Sequence, residues 1–345
     1  MNAVSLLVAP AWVGDAVMSE PLIRQIADHD QKPVDVLAPP WVAPLYERMP
    51  NVGRVISAPF AHGRLDLKAR WALGRHLGTH GYENAYLLPN SLKSALPTFF
   101  ASIPNRIGFT GECRYGLVNR RQTLNKQALP RMVDRFLALA PAGAAAAQAP
   151  DLDIPRLTAR PGAFAALSDK LGLTVKSHPL AILCPGAEYG PAKRWPEAHF
   201  AQLATSLKQT GFTVCTLGSG KDQAIGDAIE TLSHGAAINL CGRTQLAEAI
   251  DLLSGASVVI SNDSGLMHVA AALDRPLIAL FGSSSPVFTP PLAKQVRILQ
   301  HPVPCSPCFA RTCRYGHLDC LNKLMPETVL AATLAMAPTS ESPTP

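Results

Sequence analysis

The sequence predicts an α/β protein built from two Rossmann-like domains with parallel sheets. Three observations carry that prediction. The chain has 345 residues, more than one hydrophobic core usually covers. Short apolar runs alternate with helical stretches along its whole length, the rhythm of parallel strands joined by crossover helices. The pattern restarts near Leu180. With 48% hydrophobic and 16% charged residues the composition excludes a disordered chain. No apolar run reaches the ~18 residues of a membrane span. The N-terminus has no basic leader, and Pro10, Gly14 and Asp15 interrupt its apolar stretch, so no signal peptide is expected and a cytoplasmic setting is.

In the first half, Val4 to Pro10 (VSLLVAP) reads as a buried strand. A short loop, Ala11 to Asp15, leads into a helical stretch through Ile26. Val34 to Pro39, the RVISAP segment and Asn84 to Asn90 supply three further strands. Ala138 to Pro150 is rich in Ala and Pro and reads as a linker or a peripheral helix. The expected domains are therefore residues 1–165 and 176–335, with a disordered tail over 336–345. The second half supplies strands at Leu180–Ala187, Phe212–Ser219, Ala236–Gly242, Ala256–Gly265 and Pro276–Pro286. Each ends in Gly, Ser, Asn or Asp, the residues of ligand-binding loops at strand carboxyl ends. The two domains are expected to face each other across a cleft.

Charge is uneven. Residues 1–150 hold sixteen Lys and Arg against ten Asp and Glu, whereas residues 151–345 hold fifteen of each. The whole net charge of +6 thus lies in the first half. Such asymmetry fits either a solvated surface or one that meets a polyanion or an acidic membrane face.

Three segments could carry chemistry. In Ser261–Leu273 (SNDSGLMHVAAAL) a strand ends at Ser261 and a helix opens near Ser264. Asp263 sits in the turn, Ser264 and Gly265 present backbone N–H groups, and His268 follows one turn on. Such a helix start suits a diphosphate. A helix cap at Asp263 or Ser264 is the plainer alternative for either residue alone. In Cys184–Pro196 (CPGAEYGPAKRWP) a loop after a strand carries Lys193 and Arg194, cations able to neutralise a diphosphate leaving group, beside Trp195 as a ring wall or a core anchor. In Pro10–Pro21 (PAWVGDAVMSEP) Gly14 permits a tight turn and Asp15 begins a helix, as an N-cap or as a general base for a hydroxyl nucleophile. GxGxxG, P-loop, zincin and GxSxG patterns are absent. Cys305, Cys308, Cys313 and Cys320 form a C-x2-C-x4-C-x6-C cluster with His317 inside it, either a metal knuckle or a packed Cys-rich loop. The scattered Cys113, Cys184, Cys215 and Cys241 fit small, mostly core, residues without disulfides.

WVGDAVMSEPL, LPNSLKSALPTFFASIPNRIGFTGECRYGL, CPGAEYGPAKRWP and NDSGLMHVAAALDRPLIALFGSSSPVFTPPL together closely resemble the lipopolysaccharide heptosyltransferase II family, in collinear order from about Val4 to about Met325. The resemblance implies a GT-B fold of family 9, in which the first domain binds the acceptor and the second the ADP-heptose donor. It implies inverting transfer of L-glycero-D-manno-heptose to the first heptose of Kdo2-lipid A. By position, Asp15 resembles the catalytic base and Lys193 the cation on the departing phosphate. Asp263, Ser264, Gly265 and His268 match the donor-binding motif, to which Arg194 is added, and Asp222 is the candidate for the donor ribose. Lys93, Arg106, Arg114, Arg120 and Arg121 are the cations expected to meet the acidic acceptor. The donor loops show no evident DxD motif, so no obligate metal or other cofactor is expected. Expected partners are the donor, the acceptor and the inner leaflet of the cytoplasmic membrane, with no nucleic acid. Heptosyltransferase I, a nucleotide-sugar 2-epimerase of shared fold and a non-catalytic binding module are the alternatives. LPNSLKSAL favours the second-heptose enzyme, and the presence of both Asp15 and Lys193 disfavours a mere binder.

Overall fold

A computed structural model describes residues 3–60, 63–142, 153–175 and 178–336. The chain divides into two units, Met1–Leu157 and Thr158–Pro345. In the first, the elements run β1 (Ser5–Val8), α1 (Val13–Met18), α2 (Glu20–Asp30), β2 (Val34–Ala38), α3 (Ala43–Tyr46) and β3 (Val52–Ser57). They continue as α4 (Leu67–Gly78), β4 (Asn84–Leu87), α5 (Leu92–Phe100), β5 (Asn105–Phe109), β6 (Arg120–Gln122) and α6 (Met132–Leu137). The six strands form one parallel sheet in the order β3-β2-β1-β4-β5-β6. Leu6, Val8, Leu37, Ala85 and Leu87 pack against Leu77, Tyr82 and Ile103 in one core cluster.

The second unit opens with α7 (Ala163–Leu171) and continues β7 (Leu180–Cys184), α8 (Glu197–Gln209), β8 (Thr213–Thr216), α9 (Gln223–Leu232) and β9 (Ala237–Asn239). Then follow α10 (Leu246–Ser254), β10 (Val258–Asn262), α11 (Gly265–Ala272), β11 (Leu277–Phe281), β12 (Val296–Gln300), α12 (Asp319–Asn322) and α13 (Pro326–Met336). Its sheet is also parallel, ordered β12-β11-β10-β7-β8-β9. Strands β7, β10 and β11 are buried along their whole length; β7 and β11 therefore read as unbroken apolar runs, and β10 does so until its last two residues. Both sheets thus carry the doubly wound order in which the sequence returns to the middle of the sheet before building its second half.

The structure adds three strands to the sequence reading. β5 (NRIGF), β6 (RRQ) and β12 (VRILQ) carry Asn, Arg or Gln where an apolar run is expected. β6 and β12 are edge strands with exposed side chains, so no two-sided burial selects apolar residues there. The helical stretch expected through Ile26 is two helices. Pro21 sits in the first turn of α2, where its missing N–H costs nothing, and the Ser19 hydroxyl donates to the Ala16 carbonyl at 2.7 Å to close α1.

The units part at Leu157/Thr158, earlier than the interval from 165 to 176 expected from sequence. The reason is α7: Phe164 lies where a Cβ on Gly255 would be, and Lys170 pairs with Glu248 of α10 at 3.0 Å. The Arg160 amide likewise donates to Asp251 of α10 at 3.0 Å. Most of the Ala-rich segment (143–150) and nearly all of the expected tail (337–345) lie outside the described residues. No helix among the described residues is long and apolar enough to cross a membrane.

One buried carboxyl ties the end of the first unit to its start. Glu20 is fully buried, accepts from the Arg156 amide at 3.1 Å and lies 3.5 Å from Arg24. Burial pushes its pKa up to about 7, against the pull of Arg24. The native state therefore holds a proton that the unfolded chain has lost, and stability falls as pH rises from about 4.5 through 7. Glu20→Gln removes this slope. The variant should gain stability relative to wild type across that window, by on the order of 3 kcal/mol at pH 8. Urea melts of both proteins from pH 4.5 to 8 measure it, and parallel stabilities would show that Glu20 ionises as in water.

Candidate functional site

In both sheets the strand order reverses beside the first strand, between β1 and β4 and between β7 and β10. Crevices at the carboxyl ends of such strands bind ligands in open α/β sheets. The loops leaving β1, β7 and β10 are the three segments that the sequence singles out.

In the second unit β10 ends in two buried polar residues, Ser261 and Asn262. The Asn262 amide donates to the Pro185 carbonyl at 2.7 Å and accepts from the Trp195 amide at 3.1 Å. It thereby bridges both ends of the loop after β7. Sequence reading passed over Asn262; a polar residue closing an apolar strand was its signal. Trp195 is 1% exposed, its indole donates to the Leu324 carbonyl at 2.8 Å, and its ring meets Phe200 edge-on. It is a core anchor and not a wall for a ligand. Gly190 lets the loop approach the 311 region: a Cβ there would stand 2.4 Å from the Arg311 carbonyl. The same carbonyl accepts from the Ala192 amide at 3.0 Å.

This frame aims Lys193 at the β10 loop. Its ammonium lies 2.5 Å from Asp263 Oδ2 in a largely desolvated pair. The Tyr189 ring lies 5.1 Å from the Lys193 ammonium and 5.1 Å from the Arg311 guanidinium, and its hydroxyl donates to the Phe309 carbonyl at 2.8 Å. Tyr189 is a second residue that sequence reasoning did not weigh. His268 is buried, and burial drives its pKa down to about 4, with Lys193 lowering it and Asp263 opposing. It is a neutral imidazole near pH 7, within the electrostatic reach of both partners, and brings no positive charge to a ligand.

The capping alternative fails at α11. Ser264 occupies the N-cap position in extended conformation, but no side chain caps the helix; the Ser264 hydroxyl instead lies 3.3 Å from that of Ser261. The amides of the first turn, from Gly265 on, are left for another acceptor. Arg194 is half-buried, and its guanidinium makes a long contact of 3.5 Å to the Ala187 carbonyl. Asp222 stands in the turn between β8 and α9. It accepts from the Ser219 amide at 2.9 Å and the Ser219 hydroxyl at 2.8 Å, closing a capping box. Its carboxylate also covers Gly186, where a Cβ would lie 2.5 Å away. Lys193, Asp263, His268 and Asn262 are therefore one cluster, and Asp222 closes over the base of the same β7 loop.

In the first unit Asp15 is the third residue of α1, and Trp12 is the N-cap, so Asp15 does not cap the helix. It is half-buried, and its charge contributes to the raised pKa of Tyr46, whose main cause is burial. The five cations expected to share an acceptor face divide. Arg114 is 2% exposed and donates to the carbonyls of Pro89 and Phe109 and to Asn90. Arg106 donates to the carbonyls of Ile103, Leu117 and Gly116. Burial lowers the pKa of both. Both brace the chain on either side of β5, where carbonyls outside the ladder accept from their guanidinium groups. Arg120 bonds Asn105 at 3.3 Å and Arg121 lies over Tyr115, both at the surface, while Lys93 is half-buried at the start of α5.

Cys305, Cys308, Cys313 and Cys320 are free thiols around one small pocket that Ala192 and Ser283 also line. Among the described residues no group of three His, Cys, Asp or Glu is placed to hold a metal ion. The same segment supplies Phe309 and Arg311 to Tyr189 and the loop of Lys193, so it buttresses the site from behind.

Residues 70–319 match the family described as glycosyltransferase family 9 (heptosyltransferase). The chain belongs to that family. Lipopolysaccharide heptosyltransferase 2 of Salmonella typhimurium is 45% identical over 304 residues, 86% of this chain and 87% of its own. The structure of Escherichia coli ADP-heptose lipopolysaccharide heptosyltransferase II superposes with a TM-score of 0.84 at 39% identity, covering 97% of this chain and 98% of that one. Lipopolysaccharide heptosyltransferase 1 of Pseudomonas aeruginosa is 31% identical over 180 residues, 46% of this chain. Membership of family 9 makes the protein a glycosyltransferase, and its two doubly wound sheets are the GT-B architecture expected from the resemblance.

Proposed function

We propose that this family 9 glycosyltransferase transfers L-glycero-D-manno-heptose from ADP-heptose to the first heptose of heptosyl-Kdo2-lipid A. The observation that carries this assignment is the likeness to heptosyltransferase 2 enzymes over 86% of the chain, against 46% for a heptosyltransferase 1. The second unit binds the donor. Its diphosphate lies at the start of α11 against the free amides and Lys193, with Asp263 toward the sugar and Asp222 toward the ribose. The first unit binds the acceptor and contributes Asp15. A hydroxyl oxygen of the acceptor heptose attacks C1 of the donor heptose as its proton passes to Asp15. The bond from C1 to the phosphate oxygen breaks with inversion, and the charge gathering on ADP is balanced by Lys193 and the α11 amides. The cationic excess of the first half would hold the enzyme electrostatically at an anionic inner leaflet.

The assay that decides this is ADP release from ADP-heptose, with Kdo2-lipid A offered with and without its first heptose. Release with the heptosylated acceptor alone is expected. Release with bare Kdo2-lipid A would make it a first-heptose enzyme, and release with neither would leave only the family. At the donor site, Gly186→Ala forces the Asp222 carboxylate aside. The KM for ADP-heptose should rise about tenfold with turnover little changed, since a displaced ribose contact removes binding common to ground and transition states. An unchanged donor KM would free Asp222 from that role.

A further inference from the structure

Trp12 and Trp41 flank the turn that carries Asp15. Trp12 is the N-cap of α1, three residues before Asp15, and is 49% exposed. Trp41 is 50% exposed and comes from the turn after β2, yet its indole N–H donates to the Ala11 carbonyl at 2.8 Å. Both indoles are thus attached to the same short loop. Tryptophan in a packing role looks different in this chain: Trp195 is fully buried with its N–H and ring edge engaged. Two half-exposed indoles beside one functional loop are apolar surface that folding has left uncovered.

The loop is also held rigidly. The Tyr46 hydroxyl of α3 lies 3.1 Å from that of Ser19 at the α1/α2 junction, both buried. The Trp41 turn and the Asp15 helix are therefore linked twice, at Ala11 and at Ser19, and present their side chains as one piece. A pyranose ring has an apolar C–H face and a polar hydroxyl edge. Such a ring lying on an indole keeps its hydroxyls free for a nearby carboxylate, and one helical turn of about 5 Å separates Trp12 from Asp15 along α1.

We propose that Trp12 and Trp41 form an aromatic acceptor subsite that stacks a pyranose ring of the acceptor, placing its hydroxyl edge at Asp15. This rests on the glycosyl transfer proposed above and assigns the acceptor sugar a binding surface beside the base. Of the basic group expected from sequence, Arg106 and Arg114 are engaged by loop carbonyls, while Arg120 and Arg121 stay at the surface.

The test is steady-state kinetics with ADP-heptose and deacylated heptosyl-Kdo2 acceptor, so that lipid contacts do not enter. Trp12→Ala and Trp41→Ala should each raise the acceptor KM tenfold or more with the donor KM within twofold of wild type. Trp12→Phe and Trp41→Phe should stay within about threefold, because a phenyl face still stacks. An acceptor KM unchanged in both alanine variants overturns the subsite. So does a parallel rise of donor and acceptor KM, which would report a collapsed loop, and so does a Trp41→Phe variant as impaired as Trp41→Ala, which would make the indole hydrogen bond a positioning device. Wild-type turnover separates the two levels: transfer by wild type with unaffected variants sinks the subsite alone, whereas no transfer by wild type overturns both assignments.

Discussion

Asp15→Asn lowers turnover by about 10³-fold and leaves ADP affinity within twofold of wild type. Asparagine keeps the shape of the side chain and removes the one property that the proposed mechanism needs, a carboxylate able to accept the acceptor's proton. General-base catalysis of this kind contributes roughly 10² to 10⁴ in rate. Loss of the carboxylate from the first turn of α1 should lower stability by about 1 kcal/mol or less. ADP affinity is the informative control, because the residues assigned to the donor all belong to the other unit. Pre-steady-state ADP release with heptosylated acceptor, beside calorimetric titration with ADP, makes the comparison. Turnover within tenfold of wild type would remove Asp15 as the base.

Lys193→Met should have two separable effects. Turnover should fall by about 10² to 10³, the usual loss for one donor aimed at developing charge. Donor binding should weaken with it. The second effect is on the fold. Asp263 is only 5% exposed on its side chain, and removing its partner leaves a buried carboxylate uncompensated. Breaking such a pair costs about 3 kcal/mol or more unless the carboxyl protonates. His268 modulates the outcome. Its folded pKa of about 4 lies below its unfolded value near 6.5, so protonation of the unfolded chain erodes stability as pH falls below about 6.5. Lys193 is one cause of that depression, so Lys193→Met should raise the His268 pKa and soften the acid sensitivity. The double variant Lys193→Met with Asp263→Asn should regain most of the stability and none of the turnover. Thermal melts from pH 5 to 8, paired with turnover, resolve the two. Full activity in the single variant would exclude Lys193 from leaving-group stabilisation.

Much of the candidate site was legible because its residues lie in three short stretches, each following a strand. A buried strand that ends in small or polar residues is readable from one sequence, and so are cations or a carboxylate in the next loop. What was not legible depends on partners distant in the chain. Arg106 and Arg114 look like free surface cations until the carbonyls of 89, 103, 109, 116 and 117 are placed around them. Asn262 looks like an ordinary strand end until Pro185 and Trp195 meet its two amide atoms. Trp12 and Trp41 are 29 residues apart, and nothing local joins them to one loop.

The sequence by itself determined the parallel α/β architecture, because strands buried on both faces must be unbroken apolar runs. It also determined the family, through several collinear segments, and singled out the three strand-end loops to which the chemistry is assigned. Tertiary structure alone decided the edge strands β6 and β12, whose exposed side chains no burial constrains, and the side of the division on which α7 falls, which its packing on α10 sets. It decided which polar groups remain available. A capping hydroxyl, a surface arginine and a ligand-binding residue share one local sequence signature and differ only in whether a distant carbonyl, amide or carboxylate has already satisfied them.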